Sequence, residues 1–456
     1  MRSTGDILLI STYELGHQPL HLASPLGFLE QAGYAPRALD LAVEPLDERA
    51  VRAARVVAIA VPMHTALRLG LEVSRRVREL NPQAHVCFYG LYAPLRVDLT
   101  MNGAASVIGG EYEVELVELI RRLEAGADLV ARPVVLDRLQ FVPPSRAALP
   151  PLKKYAHLLT PDGEKLAGYV EATRGCLHLC RHCPIPPVYE GRFFVVQEAI
   201  VLEDVRRQVA AGAGHITFGD PDFLNGPEHA MRIVRAMHRE WPQLTFDVTT
   251  KIEHVLKHRA LFPELRALGC LFLVSAVESL SERVLTILDK GHTRADVDLA
   301  LEITGAAGIT LRPSLVPFTP WESLDEYLAL LAWVQTRGLI DHLDPIHLAI
   351  RLLIPPGSKL LELDETRAII GALAPDRLTY TWKHPDPRMD ALQRAVLAAV
   401  DEAAQVGEDA AHTFTRIQAL AHAASTNHPL TGQHAVAATG ERRKVRLPRL
   451  SEAWFC

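Results

Sequence analysis

The chain has 456 residues, 48% of them hydrophobic, and 48 basic against 54 acidic side chains give a net charge of −6. This length excludes a disulfide-stabilised mini-protein and predicts two or three domains. No basic tract dominates, and neither a secretory signal nor an uninterrupted apolar stretch of about eighteen residues occurs, which argues against nucleic-acid and membrane partners. We expect a cytoplasmic protein with a small-molecule substrate.

Residues 1–128 alternate short apolar runs with amphipathic stretches, which predicts a parallel, doubly wound, Rossmann-like domain. Its buried strands are predicted to start at Ile7, Val56, His85 and Ser106. Ligands of such sheets bind at the carboxyl ends of the strands. The segments expected there are 62–66, which contains His64, 90–94 and 109–113.

Residues 129–165 are rich in proline and predict a connector between two domains. Over residues 166–365, strand-like runs again alternate with helical segments, and five or six such units are too few for an eightfold barrel but suit a partial one. Residues 366–440 are predicted to form a helical extension and residues 441–456 a polar tail. The predicted class is therefore α/β, a Rossmann-like domain followed by a partial (β/α)6 barrel.

Half of the six cysteines lie within eight residues, as Cys176, Cys180 and Cys183. Six cysteines in so long a chain do not make a disulfide framework, so metal or redox use in a reducing compartment fits better. A structural zinc site is coordinated by four protein ligands, and His178 or His182 could add a nitrogen ligand to the three thiols. Three thiolates alone are what a four-iron cluster needs if its fourth iron is to bind something other than protein.

The Cys-x3-Cys-x2-Cys spacing resembles the radical S-adenosylmethionine (radical SAM) superfamily, and residues of about 165 to 365 share the resemblance. It implies a [4Fe-4S] cluster on the three cysteines and S-adenosylmethionine at the open iron. One departure is His182, which stands where an aromatic residue commonly precedes the third cysteine. The nucleotide-binding residues that the resemblance implies, within "FGDPDF" and "SAVES", are Gly219, Asp220, Ser275 and Glu278.

The order of domains resembles the subgroup of radical SAM enzymes with an N-terminal cobalamin-binding domain, and "VIGGEYE" and "CPIPPVYEGR" are similar to segments of that subgroup. The Asp-x-His-x-x-Gly signature of many cobalamin proteins is absent from the first 125 residues. The resemblance therefore implies the fold and leaves the binding of cobalamin open. If cobalamin binds, His64 is expected in its crevice.

The last six residues, "SEAWFC", resemble the start of the tail of the CUAEP/CCAEP-tail radical SAM proteins. That tail continues from cysteine with selenocysteine or cysteine, so the resemblance implies a truncated selenoprotein in which Cys456 is a reactive thiol. It also implies transfer of the 3-amino-3-carboxypropyl group of S-adenosylmethionine to arsenic, a soft element that favours thiolate ligands. Cys87 and Cys270 lie in apolar contexts and are expected to be core residues.

We therefore predict a transferase that uses a [4Fe-4S] cluster to cleave S-adenosylmethionine reductively and passes a group to a thiophilic, arsenic-type acceptor. A one-electron reductant such as flavodoxin or ferredoxin would serve as its partner. Cobalamin-dependent methyl transfer is the alternative within the same chemistry. A cobalamin- or cluster-binding sensor without turnover is the alternative from another class, and consumption of S-adenosylmethionine separates it from an enzyme.

Overall fold

The computed structural model describes residues 1–95, 105–128, 132–426 and 447–452. A sheet of parallel strands forms the N-terminal domain, in the spatial order second, first, third, fourth, fifth, sixth. Its strands are β1 (Ile7–Ser11), β2 (Arg37–Asp40), β3 (Val56–Ala60), β4 (His85–Tyr89), β5 (Ser106–Gly110) and β6 (Val134–Val135). Its helices are α1 (Leu20–Gln31), α2 (Glu48–Ala53), α3 (His64–Leu80) and α4 (Glu113–Ala125).

Helices cover both faces of this sheet, as the doubly wound prediction requires. Ile7 and Leu9 of β1 pack in one apolar cluster with α1 and α4, whereas Leu8 and Ile10 pack in another with α2 and α3. Successive side chains of a strand point to opposite faces, so a run of consecutive apolar residues is buried on both sides. The prediction of β1, β3, β4 and β5 is confirmed, and the edge strands β2 and β6 are additions to it.

The second sheet continues the chain as a partial barrel. Its strands are β7 (His157–Thr160), β8 (Gly163–Val170), β11 (His215–Phe218), β12 (Thr245–Thr249), β13 (Cys270–Glu278), β14 (Thr310–Leu315) and β17 (Arg449–Leu450). The five strands β8, β11, β12, β13 and β14 are parallel neighbours, while β7 and β17 extend the edge in antiparallel fashion. Two short antiparallel strands, β9 (Thr173–Gly175) and β10 (Phe193–Val195), flank the segment that carries the cysteines.

Helices lie between the barrel strands and follow them. They are α5 (Pro186–Tyr189), α6 (Glu198–Ala210), α7 (Pro227–Glu240), α8 (Ile252–Lys257), α9 (Phe262–Ala267), α10 (Glu282–Leu288), α11 (Arg294–Ala306), α12 (Leu324–Thr336) and α13 (Asp364–Arg367). The sixth barrel strand, predicted over 347–356, is reduced to one parallel bridge between Phe318 and Arg351. Pro345, Pro355 and Pro356 bound this segment, and proline supplies no N–H for a ladder.

The C-terminal extension is less helical than predicted at its start. Residues 370–382 form a hairpin of β15 (Ile370–Ala374) and β16 (Thr379–Trp382). Two helices follow, α14 (Pro387–Val406) and α15 (Ala410–Ser425), and Gly407 ends the first with a φ of 66°. Cys456 lies outside the described residues. No helix in the described ranges is long and apolar enough to cross a membrane.

The two sheets share one apolar core, since a single cluster of buried side chains includes α1 and α4 of the first domain and the barrel strands. Arg146 of the connector fixes this contact. Its guanidinium donates to both carboxylate oxygens of Asp204, at 2.6 and 2.8 Å, and to Gln18 Oε1 at 2.9 Å. The connector therefore joins the first domain to α6 of the barrel.

A second buried contact joins the segment after β5 to the segment that precedes the cysteines. Arg174 of β9 lies 2.6 Å from Glu113 Oε1 and 3.7 Å from Glu111 Oε2, and its Nε donates to Glu171 Oε2 at 2.8 Å. Tyr189 donates to the other oxygen of Glu111 at 3.0 Å. Three carboxylates thus surround one guanidinium, and the segment 109–113 packs against the barrel.

This excess of buried carboxylates predicts a stability that depends on pH. Burial raises the pKa of Glu111 to about 7 in spite of the neighbouring Arg174. A carboxyl with a raised pKa in the folded state contributes stability at low pH, and this contribution is lost as the pH rises through the folded pKa. Between about pH 5 and pH 8, we expect the free energy of unfolding to fall less steeply in Glu111→Gln than in the parent, by on the order of 1–3 kcal/mol. Parallel denaturation profiles of the two proteins would contradict this.

Candidate functional site

The cysteine segment is held at both ends by the elements that flank it. Cys176 N donates to Arg192 O at 3.1 Å, beside the β9–β10 pair. Gly175 has a φ of 73°, and a Cβ there would lie 2.5 Å from Arg192 O, so a side chain would push the two strands apart. On the far side, Arg181 N donates to Leu288 O at 2.9 Å. These contacts form a loop over residues 176–192 at the carboxyl end of β8.

The loop carries a donor set that suits a [4Fe-4S] cluster. Cys176 and Cys180 are buried and Cys183 is half-buried, and none of the three forms a disulfide. The other described cysteines, Cys87 and Cys270, are buried in strands of the two sheets, as predicted. Burial raises the pKa of Cys176, while the His178 backbone and the Asn225 side chain oppose this by stabilising the thiolate. Three thiols with no fourth beside them on the loop fit a cluster with one open iron.

Glu278 is the last residue of β13 and has a left-handed backbone conformation. Its φ is +68°, and the β13–β14 register shifts between Ala276 and Glu278. Its Oε1 accepts from His182 Nε2 at 3.1 Å and from Lys290 Nζ at 3.2 Å. Burial alone would raise the pKa of Glu278, but Lys290 and His182 outweigh it and hold the pKa well below its usual range. The carboxylate is therefore ionised, and no hydrogen bond between described residues uses its Oε2.

Lys290 connects this carboxylate to the cysteine loop. Its side chain is 3% exposed. Burial lowers its pKa, but the charges of Glu278, Cys180 and Cys183 raise it overall. Since these thiols act on Lys290, the ammonium would also lie near a cluster held by the loop. His182, which stands where the superfamily commonly has an aromatic residue, contacts the Glu278 carboxylate.

Of the four residues expected to hold the nucleotide, Gly219 and Asp220 follow β11, while Ser275 and Glu278 lie in the C-terminal half of β13. One strand, β12, separates β11 from β13 in the sheet. Ser275 is fully buried, and its Oγ has no hydrogen-bond partner in the described part of the chain. A buried hydroxyl without a partner fits a position where a ligand supplies one.

Asp220 and Gly219 each contact residues in or next to β8 and β9. Asp220 accepts from Ala172 N at 2.9 Å and from Thr173 Oγ1 at 2.6 Å, so both of its oxygens hold the strand that leads to the cysteines. Burial raises the pKa of Asp220 to about 7. A Cβ at Gly219 would lie 2.2 Å from the Tyr169 hydroxyl, so the glycine accommodates that ring. Their expected role toward the nucleotide stays a prediction.

His64 begins α3 at the carboxyl end of β3, where the cobalamin crevice was expected. Its ring meets Tyr92 edge to face at 6.1 Å, and its Nε2 is closed to solvent with no hydrogen-bond partner among described residues. Burial lowers its pKa, with the Arg377 and Leu378 backbone lying beside the ring. Nε2 of His64 is thus a buried polar atom without a partner among the described residues, like Ser275 Oγ, and its expected place in a cobalamin crevice stays a prediction.

Sequence reasoning missed two groups that the structure places at the loop. One is the pairing of Lys290 and His182 with Glu278. The other comprises His178, Asp222 and His254, which lie together beside the loop. Their positions come from three separate βα units, and only the order of strands in the sheet reveals that they meet.

Comparison with known proteins gives these sites a context. Residues 170–331 match the profile of the Radical SAM superfamily. The hopanoid C-3 methylase of Methylococcus capsulatus is 24% identical over 325 residues, which are 67% of this chain. The match spans 62% of the methylase, so this chain corresponds to less than two thirds of that protein.

Two solved structures share the fold. The cobalamin-dependent S-adenosylmethionine radical enzyme OxsB with aqua-cobalamin bound has a TM-score of 0.66 at 14% identity, over 92% of this chain and 72% of OxsB. The radical S-adenosylmethionine methyltransferase TsrM from Kitasatospora setae, with cobalamin and a [4Fe-4S] cluster bound, has a TM-score of 0.61 at 16% identity, over 74% of this chain and 71% of TsrM. The fold match to OxsB thus includes the N-terminal domain.

The matched segment begins at the end of β8, spans the cysteine loop and includes Glu278 and Lys290. Enzymes of this superfamily use a [4Fe-4S] cluster and S-adenosylmethionine, and the three-thiol donor set fits that cluster. Residues 170–331 thus match the Radical SAM superfamily, and they follow an N-terminal domain whose fold is similar to the corresponding part of OxsB.

Proposed function

We propose that the protein cleaves S-adenosylmethionine reductively and transfers one of its carbon groups to a small-molecule acceptor. The observation that carries this proposal is the contact of the buried Glu278 carboxylate with His182 of the cysteine loop at 3.1 Å and with Lys290 at 3.2 Å. When bound, a [4Fe-4S] cluster on Cys176, Cys180 and Cys183 supplies the electron that breaks a carbon–sulfur bond. A small redox protein such as flavodoxin or ferredoxin would deliver that electron.

The residues of this chain bind and orient the nucleotide. Both side-chain hydrogen bonds of Glu278 go to its Oε1, so Oε2 would accept from a ribose hydroxyl. The unpartnered Ser275 hydroxyl would meet a second polar group of the nucleotide. Lys290 holds the carboxylate in its ionised form, and His182 fixes its orientation from the loop itself. Burial of this set excludes water, which a carbon radical would otherwise meet before the acceptor.

Methyl transfer is the first candidate for the reaction. It is favoured by the sequence match to a hopanoid methylase and by the fold match to TsrM and OxsB, whose structures contain cobalamin. In this chain a corrinoid would lie between the segments that follow β3 and β4. Nε2 of His64, which is buried without a hydrogen-bond partner among the described residues at the end of β3, is the nitrogen that this crevice offers.

Transfer of the 3-amino-3-carboxypropyl group to a thiophilic acceptor is the second candidate, favoured by the tail. Glu452, four residues before Cys456, accepts from Tyr13 at 2.8 Å, and Tyr13 follows β1 at the carboxyl edge of the first sheet. Glu452, which lies within the segment that resembles the tail, is therefore held at this edge of the first sheet.

One labelling experiment separates the two candidates. The reconstituted protein is incubated under strict anaerobiosis with a reductant and with S-adenosylmethionine that is isotopically labelled either in the methyl or in the carboxypropyl carbons. Methyl transfer predicts loss of the methyl label with formation of S-adenosylhomocysteine, together with 5′-deoxyadenosine from a second S-adenosylmethionine that is cleaved reductively. Carboxypropyl transfer predicts methylthioadenosine that keeps the methyl label. Recovery of all label in intact S-adenosylmethionine would overturn both and support a sensor.

A further inference from the structure

Three side chains that the proposed reaction does not use converge beside the cysteine loop. His178 lies on the loop between Cys176 and Cys180, Asp222 follows β11 and His254 lies on α8. His254 Nδ1 is 2.7 Å and His178 Nε2 is 3.6 Å from the same oxygen, Asp222 Oδ2. All three atoms lie within 4.8 Å of one another.

These close approaches are not hydrogen bonds. His178 Nε2, His254 Nδ1 and Asp222 Oδ2 are each closed to solvent, and each is without a hydrogen-bond partner in the described part of the chain. Asp222 is 0% and His254 5% exposed. A buried polar atom left unsatisfied costs about 1–3 kcal/mol. Since the three atoms point toward one place, a single cation would satisfy all of them.

The groups behind these atoms hold them in position. The second oxygen of Asp222, Oδ1, accepts from Thr250 Oγ1 at 2.8 Å and from Leu224 N at 3.2 Å. The second nitrogen of His178, Nδ1, is 3.6 Å from Glu253 Oε2, a carboxylate that Lys251 also faces. A carboxylate behind a ligating imidazole is the usual outer arrangement of a metal-bound histidine.

We propose that His178, Asp222 and His254 bind one divalent cation of the zinc class, separate from the iron–sulfur cluster. Two imidazoles and one carboxylate are ligands that zinc accepts in a tetrahedral site, with water or a further group in the fourth position. The ion would tie the cysteine loop to the segments after β11 and β12. Its role is to position the loop, and no reaction step passes through it.

The test uses the full chain with Cys176, Cys180 and Cys183 all replaced by alanine, so that no loop thiol can bind the metal. Titration with Co²⁺ is expected to reach one equivalent and to give visible d–d bands without the near-ultraviolet band of sulfur-to-cobalt charge transfer, and Zn²⁺ should displace it. In this background, Asp222→Ala and His254→Ala are each expected to abolish binding. Glu253→Gln should weaken it on the order of tenfold, as loss of an outer carboxylate does.

His85→Ala is the control, because it also removes a histidine, but from the N-terminal domain, where His85 contacts Ser106. It should bind Co²⁺ as the background does. Absence of cobalt binding in the folded background, or unchanged binding in both ligand variants, would overturn the proposal.

A second measurement covers the case in which the three-alanine protein does not fold. In the reconstituted native chain, elemental analysis should find about one zinc besides the cluster iron, and Asp222→Ala should lack it. Equal zinc in the two proteins would contradict the site. Since zinc content is independent of S-adenosylmethionine cleavage, failure of this site and failure of the proposed reaction are distinguishable.

Discussion

Replacement of any one of Cys176, Cys180 or Cys183 by alanine is expected to abolish both the iron–sulfur cluster and the cleavage of S-adenosylmethionine. The three thiols are the cysteines of the loop at the carboxyl end of β8, so loss of one leaves two protein ligands for four irons. Anaerobic reconstitution followed by iron and sulfide analysis should give about four of each per parent chain and little in each variant.

Cys270→Ala is the matched control for this experiment. Cys270 is 1% exposed at the start of β13, where burial raises the pKa of its thiol, so it behaves as a small core side chain. Its replacement should cost about 1 kcal/mol of stability and leave the iron content unchanged. A loop variant that keeps a full complement of iron, or a parent chain that takes up zinc alone, would refute the assignment of the cluster ligands.

The second large effect is expected from Glu278→Ala. Removal of this carboxylate leaves Lys290 as an unpaired, buried cation, which should cost about 3–5 kcal/mol in the free energy of unfolding. The double variant Glu278→Ala with Lys290→Met should recover most of this loss, because it removes the stranded charge. Chemical denaturation of the apoprotein measures both, and the exposed Glu302 replaced by alanine is the control, with a change below about 0.5 kcal/mol.

The same variants report on nucleotide binding. If Oε2 of Glu278 accepts from the ribose, the double variant should bind S-adenosylmethionine more weakly by roughly 1–3 kcal/mol, even though its stability is restored. Full affinity in the stable double variant would show that Glu278 serves only to neutralise Lys290. Because the charges of Cys180 and Cys183 also act on Lys290, Glu278→Ala alone is expected to lower the cluster content as well.

Short sequence patterns predicted the secondary-structure elements that are determined by residues close in sequence. The runs that start at Ile7, His85 and Ser106 form strands with the predicted bounds, because each is a short apolar run flanked by polar or turn residues. The Cys-x3-Cys-x2-Cys spacing predicted the cysteine loop, because the three proposed cluster ligands lie close together in the sequence. The hairpin of β15 and β16 was missed because its strands are half-exposed and carry a weak alternation.

Contacts between distant residues could not be predicted in this way. Glu111 and Tyr189 meet across the two domains, and His178 meets His254 because β8, β11 and β12 follow one another in the sheet. The segment 109–113 was expected to line an open crevice, yet its carboxylates are bound to Arg174 and Tyr189 of the barrel. A pattern of strand ends places residues at one edge, and tertiary packing decides which of them remain available to a ligand.

The central claim is that the cysteine loop and Glu278 form a site for reductive cleavage of S-adenosylmethionine. The most direct test is to incubate the anaerobically reconstituted full chain with S-adenosylmethionine and dithionite and to analyse the nucleosides by mass spectrometry. The account predicts that a cleaved nucleoside, 5′-deoxyadenosine or methylthioadenosine, accumulates with the parent chain and is absent with Cys180→Ala. Intact S-adenosylmethionine after prolonged incubation with a chain that holds its full cluster would contradict it.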